Sequence, residues 1–128
     1  MAIVLVLEDD PGLQFTFCEA LEEAGHKVHI ASNNEQAMNA MRRCAPDVLL
    51  LDLMVSGGLS TDVANYAGYC APDAEVIYVT GSGLFTKGEL FSMTRNASMV
   101  LRKPVNLREL TMMINHVAPS AMAVSAAN

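Results

Sequence analysis

Asp47-Val48-Leu49-Leu50-Leu51-Asp52-Leu53-Met54 is the stretch on which the reading of this 128-residue chain turns. Its aliphatic run, Val48 to Leu51, offers no polar residue to face solvent, which suits a strand buried on both sides in the middle of a parallel sheet. A carboxylate closes it. Other apolar runs end in the same way: Ala2–Leu7 leads into Glu8-Asp9-Asp10, Val76–Val79 into Thr80, and Met99–Arg102 into Lys103. If these runs are parallel strands, their polar ends lie along one edge of one sheet, at the carboxyl ends where open α/β sheets place binding sites. The carboxylates of Glu8, Asp9 and Asp52, the Thr80 hydroxyl and the Lys103 ammonium, gathered there, make a site for a divalent cation and a phosphoryl group.

Around that stretch, apolar runs alternate with helix-period segments. The pattern predicts strands near 2–7, 27–31, 48–51, 75–79 and 98–102, and helices over 11–24, 33–44, 60–70, 86–95 and 106–117. Such alternation predicts an α/β protein, a doubly wound parallel sheet with helices on both faces. Helix starts are punctuated. Asp10 can cap the first helix with Pro11 behind it, and Ser32-Asn33-Asn34-Glu35, Thr86-Lys87-Gly88-Glu89 and Asn106-Leu107-Arg108-Glu109 resemble capping boxes. Gly25 follows the first helix as a stop signal, and Pro46 keeps the second helix out of the third strand. Ser56-Gly57-Gly58 marks a flexible loop directly after Asp52. Residues 1–118 are expected to form one domain, and 119–128 a flexible or frayed tail.

Composition narrows the function. Hydrophobic residues make up 52% of the chain but aromatics only 5%, so aliphatic side chains and nine methionines must fill the core. A net charge of -6 argues against a nucleic-acid surface, which needs clustered Lys and Arg. The basic pair Arg42-Arg43 sits at a helix end, where it complements the dipole. Cys18, Cys44 and Cys70 are widely spaced and lack a Cys-x-x-Cys, which predicts reduced, largely buried thiols and neither a disulfide frame nor a zinc site. No stretch is long enough to span a membrane and no signal peptide is evident, so a cytoplasmic location is expected. His26, His29 and His116 lack partners at ligand spacing and read as structural or surface residues.

Taken together and in this order, Val4-Leu5-Val6-Leu7-Glu8-Asp9-Asp10, Asp47 through Met54, Val76-Ile77-Tyr78-Val79-Thr80-Gly81 and Leu101-Arg102-Lys103-Pro104 carry a resemblance. The chain resembles the receiver domain of two-component response regulators, of the chemotaxis-type single-domain kind, through its last helix. The resemblance implies a flavodoxin-like, five-stranded parallel sheet in the order 2-1-3-4-5. It also implies phosphorelay signal transduction, with Asp52 accepting a phosphoryl group from a phosphohistidine. Thr80 and Lys103 would contact the phosphoryl oxygens, helped by backbone N–H groups near Leu53 and Gly81. Mg²⁺ would be held by Glu8, Asp9, Asp52 and the backbone carbonyl of Met54, since a hard cation takes oxygen and not a thioether. Such a protein is no enzyme beyond its own aspartyl phosphorylation and dephosphorylation. The partners implied are a histidine kinase or histidine phosphotransfer protein, and a downstream target on the fourth helix, fifth strand and fifth helix, about Thr86 to Val117. A monomer is expected.

The chain departs from the family pattern in several places. Val100 stands where an aromatic residue usually reports the state of Thr80, and a β-branched valine cannot swing as a ring can. Output is then expected either to use the Phe85–Phe91 segment instead or to be weak. Val55-Ser56-Gly57-Gly58 lacks the proline usual after the acceptor, and Gly81 and Gly83 soften the loop after Thr80, so both loops are expected to be mobile. Met54 and Ser82 flank the path of an attacking water and neither is a base, which predicts a phosphoryl group lasting minutes or longer. Three other readings remain open: a pseudo-receiver interaction module, the excised receiver of a hybrid histidine kinase, and an aspartate-nucleophile phosphatase. The start at Met1 and the tail favour the stand-alone protein over the excised one. The phosphatase would need an Asp where Met54 stands.

Overall fold

The computed structural model describes residues 2–55, 58–81 and 97–117. Five strands form one parallel sheet: β1 (Ile3–Leu7), β2 (Lys27–Ala31), β3 (Val48–Asp52), β6 (Glu75–Thr80) and β7 (Ala97–Arg102). Their order is β2-β1-β3-β6-β7, which is the expected 2-1-3-4-5 topology once a small separate ribbon is set aside. That ribbon, β4 (Met54–Val55) paired antiparallel with β5 (Gly58–Leu59), flanks the stretch expected to be a flexible loop and takes in its last residue, Gly58. Its short pairing was invisible in so few residues. The helices are α1 (Pro11–Glu23), α2 (Asn34–Arg43), α3 (Thr61–Cys70) and α4 (Leu107–Val117). The helix expected over 86–95 with its Thr86 capping box, the Phe85–Phe91 segment, Ser82, Gly83 and the tail all lie outside the described residues, as do Ser56 and Gly57.

Strand alternation divides the interior in two. Leu5, Leu7, Leu49, Leu51, Val76 and Tyr78 point to the side covered by α2 and α3. Val4, Val6, Val48, Leu50, Ile77 and Val79 point to the side covered by α1 and α4, where Phe17, Leu21, Leu110 and Ile114 meet them. Both faces of β3 are therefore dry, which is why its sequence shows no polar alternation. The edge strand β2 keeps Lys27 and Ile30 exposed.

Local punctuation works largely as the residues predict. Asp10 Oδ1 accepts from the Gly12 N–H at 3.0 Å, with Pro11 at the first helical position. Gly25 adopts φ 94°, and the bonds Gly25 N–H to Glu22 O and His26 N–H to Leu21 O close α1 in the Schellman pattern. Asn106 Oδ1 caps α4 through the Glu109 N–H. The box at α2 is shifted by one residue. Asn33 caps through the Gln36 N–H, and the Gln36 side chain reaches back to the Ser32 N–H. The cysteines are free, but half-buried and not largely buried as expected, since each lies on a helix flank or at a helix end.

At the amino-terminal edge of the sheet, His26 is a structural residue. Its Nδ1 accepts from the buried Ala2 N–H at 3.1 Å, and its Nε2 lies 2.6 Å from Asn115 Oδ1 on α4. Replacing it by leucine leaves a buried N–H and a carboxamide unpaired. His26→Leu is expected to cost about 1–3 kcal/mol in urea unfolding. A loss under about 0.5 kcal/mol would show that the two groups find other partners.

Candidate metal and phosphoryl site

Parallel register brings the polar strand ends into one row. Leu7 pairs with Leu51, so Glu8 and Asp52, the next residue of each chain segment, arrive level. Thr80 pairs with Arg102, and the Lys103 N–H donates to the Thr80 carbonyl at 3.0 Å. All five singled-out residues therefore meet at the carboxyl edge of the sheet. Glu8 and Asp52 are buried at 1% and 7% exposure, Thr80 is buried, and Asp9 is exposed. The Lys103–Pro104 peptide bond is cis.

Lys103 Nζ lies 3.0 Å from Glu8 Oε1 and 3.0 Å from Asp52 Oδ2, so one ammonium bridges two buried acids. Burial pushes the Glu8 carboxyl above its ordinary value, and the nearby Asp52 charge adds to this against the Lys103 bond. Burial pulls Lys103 down, but its bonds to Glu8 and Asp52 and their charges outweigh that and leave it raised. Asp52 Oδ1 faces the Met54 N–H at 3.3 Å.

One oxygen from each of Glu8, Asp9 and Asp52 lies within 4.8 Å of the others, the one such acidic group among the described residues. Hard carboxylate oxygens at that spacing fit a divalent cation such as Mg²⁺ by donor type. The raised Glu8 carboxyl gives a direct test. A carboxyl raised on folding contributes stability that is present below its ordinary value, 4.5, and is lost as pH rises through the folded value. At neutral pH ionised Glu8 thus costs the metal-free protein stability. Glu8→Gln is expected to raise the metal-free melting temperature by a few degrees at pH 7, and to shrink the gain produced by added Mg²⁺. A lower metal-free melting temperature would show that the bond to Lys103 outweighs burial.

Near Leu53, the N–H turned toward Asp52 is that of Met54, while the Leu53 N–H donates to the Val79 carbonyl at 2.9 Å and continues the sheet. The sequence reading missed Gln14, whose Nε2 donates to the Glu8 carbonyl and, at 2.9 Å, to Ser32 Oγ, tying the ends of β1 and β2 together. Nothing in the local pattern of α1 sets Gln14 apart. Val100 is half-buried and lies beside the fully buried Tyr78 in the β6–β7 register.

Gly81 leaves room above the Lys103 stem. A Cβ there would lie 3.8 Å from Lys103 Cδ and 3.9 Å from its Cβ, ordinary contact distances. Gly81→Ala is therefore expected to stabilise by about 0.4–1 kcal/mol, mostly by narrowing the unfolded ensemble. Urea titration decides it, and destabilisation would mean that the added methyl group crowds the Lys103 stem.

The response regulator receiver domain family matches residues 4–115. The chain belongs to that family. Among curated relatives, this receiver is 30% identical over 122 residues to the protein PilH of Pseudomonas aeruginosa, covering 91% of this chain and 98% of PilH. It is 37% identical over 62 residues to the DNA-binding response regulator MtrA of Mycolicibacterium smegmatis, covering 48% of this chain and 27% of MtrA. The receiver spans less than half the length of several such transcriptional regulators that it matches. Among solved structures, a CheY-like receiver domain protein from Methanospirillum hungatei superposes with a TM-score of 0.82 at 24% identity, covering 91% of this chain and 92% of that one. This likeness bears on the fold. No described helix is long and apolar enough to cross a membrane.

Proposed function

We propose that this receiver works in phosphorelay as a single-domain response regulator, taking a phosphoryl group from a phosphohistidine onto Asp52. The observation that carries the reading is the bridge of Lys103 between buried Glu8 and Asp52, beside the exposed Asp9. An Asp52 carboxylate oxygen attacks phosphorus as the bond from phosphorus to the donor imidazole nitrogen breaks, and that nitrogen keeps the electron pair and takes up a proton. The product is an acyl phosphate. Such transfer depends mainly on positioning and charge neutralisation. Lys103 already lies within hydrogen-bond distance of Asp52, so its ammonium can pass from carboxylate to phosphoryl oxygen with little movement. Thr80 offers a hydroxyl and Met54 an N–H from the same edge. Mg²⁺ held by Glu8, Asp9, Asp52 and the Met54 carbonyl would offset the gathered negative charge of acids and phosphoryl group.

The donor would be a histidine kinase or a histidine phosphotransfer protein. The downstream target would meet the face from Thr86 to Val117, of which residues 97–117 are described. An open groove of about 540 Å³ there is lined by Met99, Arg108, Glu109, Met112, Met113 and His116, and flexible thioethers can adapt to a partner's apolar residues. The near-complete coverage of PilH supports the single-domain form. With Val100 in place of a ring, coupling of that face to Thr80 is expected to be weak, and the pseudo-receiver is the alternative it favours. Location in the cytoplasm, a monomeric state and the absence of nucleic-acid binding belong to the same proposal.

The test is incubation with acetyl phosphate, with and without Mg²⁺, read on a phosphate-affinity gel. A Mg²⁺-dependent shifted band is expected. Folded protein that yields no band would shift the reading to a pseudo-receiver.

A further inference from the structure

The β4–β5 ribbon carries Met54, yet it is too short to hold its own shape. Hydrogen bonds at its base close it and tie it to the frame. The Leu53 N–H donates to Val79 O at 2.9 Å, and the Ser60 N–H donates to Leu53 O at 2.9 Å. Another comes from a side chain. Asn34, the first residue of α2, donates from Nδ2 to the Leu59 carbonyl at 3.0 Å. Leu59 is the register partner of Met54, whose N–H turns to Asp52 Oδ1.

We infer that Asn34 is a positioning residue for the site: its amide staples the ribbon to α2 and thereby holds the Met54 backbone against Asp52. The inference rests on the proposed reading of Met54 as a backbone ligand. Helix stability alone does not account for this asparagine. The capping is done by Asn33, and Asn34 Oδ1 is buried without a hydrogen-bond partner among the described residues. A buried acceptor without a partner costs free energy, so an apolar side chain of the same size is expected to be tolerated there. What it would lose is the link from α2 to the ribbon. Residues that orient metal ligands from behind commonly change metal affinity by tenfold or more when replaced.

The experiment compares wild type with Asn34→Leu on the full chain. Amide hydrogen exchange at Met54 and Ser60 is followed by NMR without metal, and Mg²⁺ binding by calorimetry. Faster exchange at both amides and about tenfold weaker Mg²⁺ binding are expected, at a melting temperature near that of wild type. A purely structural asparagine would instead lower the melting temperature and leave Mg²⁺ affinity within twofold, which overturns the inference. Asn34→Asp, which keeps the shape and loses the donor, guards against a leucine variant that fails to fold. It too is expected to exchange faster at both amides, and wild-type exchange in it overturns the staple. If wild type itself binds no Mg²⁺, the metal reading fails, and unchanged exchange in both variants would separately remove the staple.

Discussion

Asp52→Asn is expected to abolish Mg²⁺-dependent labelling by acetyl phosphate while leaving the fold intact. The carboxamide has the shape of the carboxylate but no oxygen able to form and hold an acyl phosphate. Structural loss should be small. Glu8 still accepts from Lys103 at 3.0 Å, and the substitution removes one of the three carboxylates gathered at the site. The metal-free stability is expected to stay within about 1 kcal/mol of wild type, and the stabilisation by Mg²⁺ to fall with the loss of one of its carboxylates. Gel shift and thermal melts with and without Mg²⁺ read both effects. A labelled band that survives in the variant would place the acceptor on another residue.

Lys103→Met has the larger effect on stability. Methionine keeps most of the apolar stem, so the change isolates the ammonium. Without it, buried Glu8 and Asp52 face each other with no shared cation. Removing one partner of a buried ion pair typically costs 3–5 kcal/mol. Lys103 is 27% exposed, so solvent screening lowers that figure, and a loss of about 2 kcal/mol at pH 7 is expected. The pH dependence has a definite sign. A lysine raised on folding contributes stability that is fully present below its ordinary value, 10.5, and is lost as pH rises through the elevated one. The gap between wild type and variant should therefore close in alkali, and also in acid as Glu8 takes up its proton. Added Mg²⁺ should narrow it at pH 7 by supplying the missing positive charge. Urea titrations across pH check this, and a gap independent of pH would mean that the lost stability came from packing.

Much of this receiver is legible in its sequence alone. Val48–Leu51 is aliphatic at every position because both faces of β3 are covered, and a run with no polar residue carries that fact in its composition. Asp10, Gly25 and Asn106 lie where short-range hydrogen bonds close helix ends, and such bonds depend only on nearby residues. The gathering of Glu8, Asp9, Asp52, Thr80 and Lys103 followed from each ending a strand, because parallel strands share one carboxyl edge.

What the sequence by itself determined was thus the five strands of the main sheet, most of the described helix ends and the meeting of five polar residues at one sheet edge, all matters of local pattern or shared direction. Only the tertiary structure decided how those residues engage. That Lys103 spans Glu8 and Asp52, that the Leu53 N–H belongs to Val79, that Gln14 reaches Ser32 and that Asn34 reaches Leu59 are contacts between residues distant in the chain. The physical reason is that a side-chain amide at a helix start can cap, face water or cross to another segment at similar local cost. Which of these it does is set by the neighbours that packing brings within 3 Å or so, and no local pattern records them.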